Sequence, residues 1–272
     1  MDTIAPLANA SNTLDTFAKY VRVMEKAGVN FDQFTLPINN RAARRNLADF
    51  LKAGCPKLTI KADGTAPSAD MTCYKLASAV LGEDFISPEE VAKSRGGVVY
   101  TDDQLAQFGD TVPSQEVLEW CRDNGYMVVA GPNRPMSMLE IRDLRSDYFY
   151  SKKGGWYAEQ AFARNDKADT RWIMLRKETV PESTSKNWTE QQALLSDNEI
   201  TPNAAELVWC VTTYKAIRNV CLLPSIYVHT SSLDSGGIRI VVGCFLDRGL
   251  DVSHWNDDDH DGRIGLSAAR KQ

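Results

Sequence analysis

At Gly125 the hydrophobic pattern changes period, and no other feature restricts the fold of this chain as much. Before it, apolar residues recur at helical spacing. In "SNTLDTFAKYVRVMEKAG", Leu14, Phe17, Val21 and Met24 mark one helix face and Gly28 supplies the stop. "NRAARRNLADFLKAG" repeats the pattern and also ends in glycine. "ISPEEVAKSRGG" offers Ser87 as N-cap, Pro88 at the first helical position and Glu90 to close a capping box. "SQEVLEWCRDNG" predicts a further helix. After Gly125 the runs shorten: "YMVVAG" and "RWIMLRK" read as strands. "TPNAAELVWCVTTYKAIRNVCLL" reads as a helix with Thr201 as cap and Pro202 in its first turn. Strands follow at "SIYVHTSS" and "IRIVVGCFL", joined through the turn "LDSGG". The expected fold class is α+β, with a helical N-terminal module over 1–124 and a mixed α/β domain over 125–272.

With 43% hydrophobic residues, the 272-residue chain can bury a real core. Its net charge of -5, with no basic run beyond Arg41 and Arg44-Arg45, argues against nucleic acid as a partner. No membrane span is read, and the opening "MDTIAPLANAS" lacks the pattern of a signal peptide, so a cytoplasmic location is expected. Six cysteines (55, 73, 121, 210, 221, 244) without a C-x-x-C suit buried, reduced thiols. Trp156, Trp172, Trp188 and Trp209 could form a stacking platform for sugars or bases, but such tryptophans more often read as core, Trp172 and Trp209 most clearly because they sit inside apolar elements.

The richest chemistry lies near the end, in "GLDVSHWNDDDHDGRIGLSAARKQ". Asp257, Asp259, Asp261 and Gly262 reproduce the opening of an EF-hand calcium loop, but Ala268 stands where the bidentate glutamate belongs, which favours a solvated acidic turn. His254 and His260 lack thiolate partners at zinc spacing, and His229 falls on a predicted strand. The two loop histidines with nearby carboxylates would suit acid–base work by a hydrolase-like enzyme or regulator, yet no nucleophile elbow, P-loop or H-E-x-x-H accompanies them.

"GWYAEQAFARNDK", "RWIMLRKETVPESTSKNWTEQQALLS", "YVHTSSLDSGG" and "IGLSAARK", with "SPEEVAKSRG" and "VLEWCRDNGY" upstream, resemble the variable (target) proteins of diversity-generating retroelements. The resemblance implies a C-type-lectin-like domain that is a binding protein rather than an enzyme. Its variable side chains would be rewritten by adenine-directed mutagenic reverse transcription. The implied ligand surface is Asp251, Ser253, His254, Asn256, Asp257, Asp258, Asp259, His260, Asp261 and Arg263, directed at an unidentified protein or other macromolecule, with no metal or cofactor. Substitution at the adenines of AAC codons reaches every residue in 251–263 except Trp255. Trp255 is therefore expected to be a buried anchor, with Asp257, Asp258, Asp259 and His260 facing water, and Ile264 to Ala269 as a closing strand paired inside a sheet.

Overall fold

The computed structural model describes residues 69–271, all within one compact unit. The helices expected over "SNTLDTFAKYVRVMEKAG" and "NRAARRNLADFLKAG" lie outside these residues. In chain order the described helices are α1 (Ala69–Leu81), α2 (Pro88–Ser94), α3 (Asp102–Asp110), α4 (Gln115–Asp123), α5 (Met138–Leu144), α6 (Ala161–Asn165), α7 (Trp188–Gln192) and α8 (Ala204–Arg218). The strands are β1 (Phe85–Ile86), β2 (Tyr126–Ala130), β3 (Met136–Ser137), β4 (Lys167–Ala168), β5 (Trp172–Arg176), β6 (Glu199–Ile200), β7 (Tyr227–Leu233), β8 (Arg239–Leu246), β9 (Gly249–Trp255), β10 (Ile264–Leu266) and β11 (Ala269–Arg270). The fold class is mixed α+β.

Local chemistry sets the helix starts. Ser87 accepts from the Glu90 amide while the Glu90 carboxylate accepts from the Ser87 amide, the expected capping box of α2. The same reciprocal pair starts α8, but at Asn203 and Glu206. Thr201 is therefore not the cap, and Pro202 precedes the helix: only Asn203 has a glutamate three residues on. At the other end Asn219 adopts the left-handed conformation that terminates helices, with φ 57°. Helix α8 is buried on almost every side as far as Tyr214 and packs against β5 of one sheet and β7 and β8 of another.

The larger sheet runs β1-β2-β5-β11-β6 and the second runs β10-β7-β8-β9. In the first, Tyr126 to Ala130 pair antiparallel with Arg176 to Trp172, and β1 joins β2 in parallel. The stretch before Gly125 is thus not all-helical, and the expected division at 124/125 falls inside one core. Trp172 Nε1 donates to the Phe108 carbonyl of α3 at 3.0 Å, and its ring centroid lies 5.2 Å from that of Phe85. Trp172 and Trp209 are fully buried, as the sequence indicated. Cys121 and Cys210 are buried free thiols, whereas Cys221 and Cys244 are only half-buried. Among the described residues, no helix is long and apolar enough to cross a membrane.

The closing run "IGLSAAR" is paired in both sheets. Residues Ile264 to Leu266 pair in parallel with Tyr227 to His229, and Ala269 pairs antiparallel with Leu175 and with Ile200. Between them, Ser267 Oγ donates to the His229 carbonyl at 2.6 Å, and the Arg176 amide donates to the Ala268 carbonyl. One short segment therefore ties the two sheets together immediately after the acidic turn.

Arg95, at the end of α2, is fully buried and has no carboxylate partner among the described residues. Its guanidinium lies 4.7 Å from the Trp209 ring centroid and donates through Nη1 to Thr212 Oγ1 at 2.8 Å, while Nε and Nη2 have no acceptor among the described residues. Burial, reinforced by the charge of Arg145, lowers its pKa to about 10. A desolvated charge with few contacts costs more than it returns. Arg95→Met, which keeps the packing on Trp209, is expected to raise stability by about 1–2 kcal/mol, read as a higher urea midpoint. A lower midpoint would show that the charge is compensated.

Candidate functional site

The segment 251–263 is half strand and half turn. Its first part, expected to be loop, belongs to β9, which pairs antiparallel with β8: Asp251 opposite Gly243, Ser253 opposite Val241 and Trp255 opposite Arg239. Leu250 and Val252 are buried, Asp251 and Ser253 half-buried, and His254 exposed. Residues 256–263 then form a turn whose backbone is clamped from outside. The Trp188 amide donates to the Asp257 carbonyl at 2.9 Å, the Ser185 amide to that of Asp261 at 3.1 Å, and the Tyr227 amide to that of Arg263 at 3.0 Å. Inside the turn, the Asp259 amide donates to the Asn256 carbonyl and the Ile264 amide to that of Asp261.

Several side chains of the segment have polar partners from other parts of the chain. His254 Nδ1 lies 2.9 Å from Asp234 Oδ2. Asp234 sits in the β7–β8 turn, and its Oδ1 accepts from the amides of Gly236 and Ile238. Burial acts to raise the Asp234 pKa, but the Ile238 amide, His254 and the Gly236 amide outweigh it, leaving the carboxyl below its ordinary value. His260 Nε2 lies 3.0 Å from Glu190 Oε2 of α7. Tyr227 Oη donates to Asp251 Oδ2 at 2.6 Å, and burial followed by this bond pushes the phenol well up. Within the segment, Arg263 Nη2 donates to Asp261 Oδ2 at 2.7 Å, holding that carboxyl down at about 2.

One expectation changes here. Asp257 does not simply face water: Arg239 Nε and Nη2 donate to its two oxygens at 2.8 and 2.9 Å, and the same guanidinium lies 3.5 Å from the Trp188 ring centroid. Trp255 is mostly buried, as expected, with its indole N–H enclosed and without a hydrogen-bond partner among the described residues. The Arg263 guanidinium lies 6.0 Å from its ring centroid. Asp258, Asp259 and His260 are exposed as expected, as are Asn256 and Arg263. The carboxylates of the calcium-like motif diverge: Asp257 turns to Arg239 and Asp261 to Arg263, and no metal-holding group of His, Cys, Asp or Glu occurs among the described residues.

The supporting roles of Asp234, Glu190, Arg239 and Trp188 escaped the sequence reading, because tertiary packing brings the β7–β8 turn, α7 and β8 to the segment. Trp156 is 39% exposed; its Nε1 donates to the Val252 carbonyl at 2.9 Å, and its ring centroid lies 4.7 Å from that of His254. His229 is buried on β7, with Nδ1 2.7 Å from Gln191 Oε1. Comparison with family models, curated proteins and solved structures finds no match to this chain.

Proposed function

We propose that the chain is a diversified ligand-binding protein, with a C-type-lectin-like scaffold presenting the side chains of 251–263 to a macromolecular partner. One observation carries this reading: the turn is fixed by main-chain hydrogen bonds from Trp188, Ser185 and Tyr227, all outside it. Such bonds survive any change of side chain. A surface clamped in this way can be rewritten without being refolded, and a rigid surface avoids the entropy cost of ordering a loop on binding.

A second reading draws on the Asp234–His254 pair. A carboxylate at Nδ1 leaves Nε2 of the ring free to face solvent, which is how a general base is oriented. His260 with Glu190 repeats the motif. Both histidines are exposed, however, and neither lines the cleft beside β7.

The binding reading predicts a graded response within the segment. Simultaneous replacement of Asp258, Asp259 and His260 by alanine should alter stability by no more than about 0.5 kcal/mol per site. Asp257→Ala should cost about 1–3 kcal/mol, because it strands a largely buried guanidinium. Chemical denaturation checks both. A destabilising triple variant would make the tip structural. Selection from a library randomised at Ser253, His254, Asn256, Asp258, Asp259 and His260 should yield folded clones of different specificities; uniformly unfolded clones would overturn the proposal. In the neighbouring DNA, the reading expects a reverse transcriptase gene and a near-copy of the 3' end differing at adenines.

A further inference from the structure

We propose that Trp156 and Asp251 close the outer edge of β9 to strand addition, so that a partner is read there through side chains alone. The closure is a property of the sheet; its use for specificity rests on the binding reading. β9 is an end strand of the second sheet, and its ladder to β8 uses one edge only. Such a strand offers a row of amides and carbonyls to any extended segment, including the same strand of a second copy. Main-chain bonds of that kind ignore sequence. On a surface meant to discriminate by side chains, they would hold every segment alike.

The outward groups of β9 can be accounted for in turn. The Tyr150 amide donates to the Leu250 carbonyl, so Leu250 turns that group away from β8. By the alternation of an antiparallel pair, Val252 and His254 face the same way. Phe149 runs beside Leu250 as a parallel bridge. At Val252 both groups are taken by side chains: the amide donates to Asp251 Oδ1 at 2.9 Å, and the carbonyl accepts from Trp156 Nε1 at 2.9 Å. His254 keeps an outward amide and carbonyl without partners among the described residues. One open residue offers two bonds of modest net strength, too few to hold an added strand.

Both side chains are held in place from elsewhere. Tyr227, Gly243 and Asp251 stand opposite one another on β7, β8 and β9. Gly243 has no side chain, which lets the Tyr227 hydroxyl reach across β8 to Asp251 Oδ2 and fix the carboxylate whose other oxygen takes the Val252 amide. The Trp156 ring packs against Tyr157 and His254, with centroids 6.1 and 4.7 Å away. The opposite edge of the sheet, β10, is closed by a chain segment: the Val180 amide donates to the Leu266 carbonyl, and Ser183 Oγ accepts from the Leu266 amide. The closure of β9 depends instead on two side chains that can be removed singly. Trp156 lies outside 251–263, but Asp251 lies inside it, and there only a side chain with an acceptor preserves the edge.

The test uses the full chain. In wild-type protein, hydrogen exchange should be at least about tenfold slower at the Val252 amide than at the His254 amide, since one is bonded and the other open. Replacing both side chains, Trp156→Ala with Asp251→Ala, should make self-association at least about tenfold tighter by sedimentation velocity. The Val252 and His254 amides should then become protected in the associated form. Asp251→Asn keeps an acceptor and should sediment as wild type. Equal exchange at the two amides in wild type would overturn the proposal even if the double variant folds poorly. So would a folded double variant no more associated than wild type, or association that leaves those amides unprotected. The two readings fail separately: specific library binders together with a double variant that does not associate would retire the closure alone, whereas association through β9 with no library binder would retire the diversified-surface reading alone.

Discussion

Adding one methyl group at Gly243 is expected to cost about 4 kcal/mol, at the extreme of single substitutions. The position needs space rather than unusual backbone torsion. A Cβ there would collide with the Ile226 carbonyl oxygen and lie 2.7 Å from Tyr227 Cα and 2.9 Å from the Ile226 carbonyl carbon. These atoms are all backbone, so no side-chain rotation relieves the clash. Gly243 also stands in the middle of the second sheet, opposite Tyr227 on β7 and Asp251 on β9, just before the register shifts towards Leu246. Relief would have to come from separating strands, which would also release the segment that carries Asp251, Ser253 and His254. Gly243→Ala should lower Tm by about 8–16 °C at the 2–4 °C per kcal/mol usual for this size. Gly96→Ala, where nothing lies within 4 Å, should change stability by no more than about 0.5 kcal/mol. Equal melting of the two variants would refute the steric account.

What could be read in the sequence was what neighbouring residues decide between themselves. Ser87 and Glu90 carry the start of α2, and the apolar runs of β2 and β5 declare burial whatever the partner strand. The cap of α8 was misplaced by two residues because Thr201-Pro202 imitates a start signal that Asn203 and Glu206 supply. Strand β9 stayed hidden: Leu250 and Val252 are its sole strongly apolar members before Trp255, and the polar residues between them look the same in a strand as in a loop. Its partner β8 makes it a strand. The site divides likewise. The exposed tip Asp258 to His260 was legible from composition, but the pairs His254 with Asp234 and His260 with Glu190 span 20 and 70 residues. Arg239 pairs with Asp257 across 18 residues, so the tip and its supports on β8 and α7 meet only in the tertiary fold.

Between pH 6.5 and pH 4 the protein is expected to lose about 3 kcal/mol of stability through His229. The imidazole is 1% exposed. Gln191 Nε2 donates to the Ser183 carbonyl at 2.9 Å, so Gln191 Oε1 is the acceptor and Nδ1 carries the histidine proton. Nε2 is enclosed without a partner among the described residues, and protonation would leave a charged donor unsatisfied there. Burial lowers the folded pKa to about 4; Asp257 acts to raise it and Arg239 to lower it. Above pH 6.5 the imidazole is neutral in both states and contributes no pH dependence. As pH falls from 6.5 to 4 the unfolded chain binds the proton and the folded protein does not, so stability drops through this window and the contribution levels off below it. The loss should reach the candidate surface. Gln191 shares α7 with Glu190, which meets His260, and with Trp188, whose amide clamps Asp257 and whose ring lies beneath Arg239. His229→Gln cannot titrate, so its deficit relative to wild type at pH 7 should shrink by about 3 kcal/mol on acidification to pH 4, measured by denaturant unfolding across that range. A difference independent of pH would show that the imidazole is already protonated in the folded protein, or finds an acceptor at Nε2.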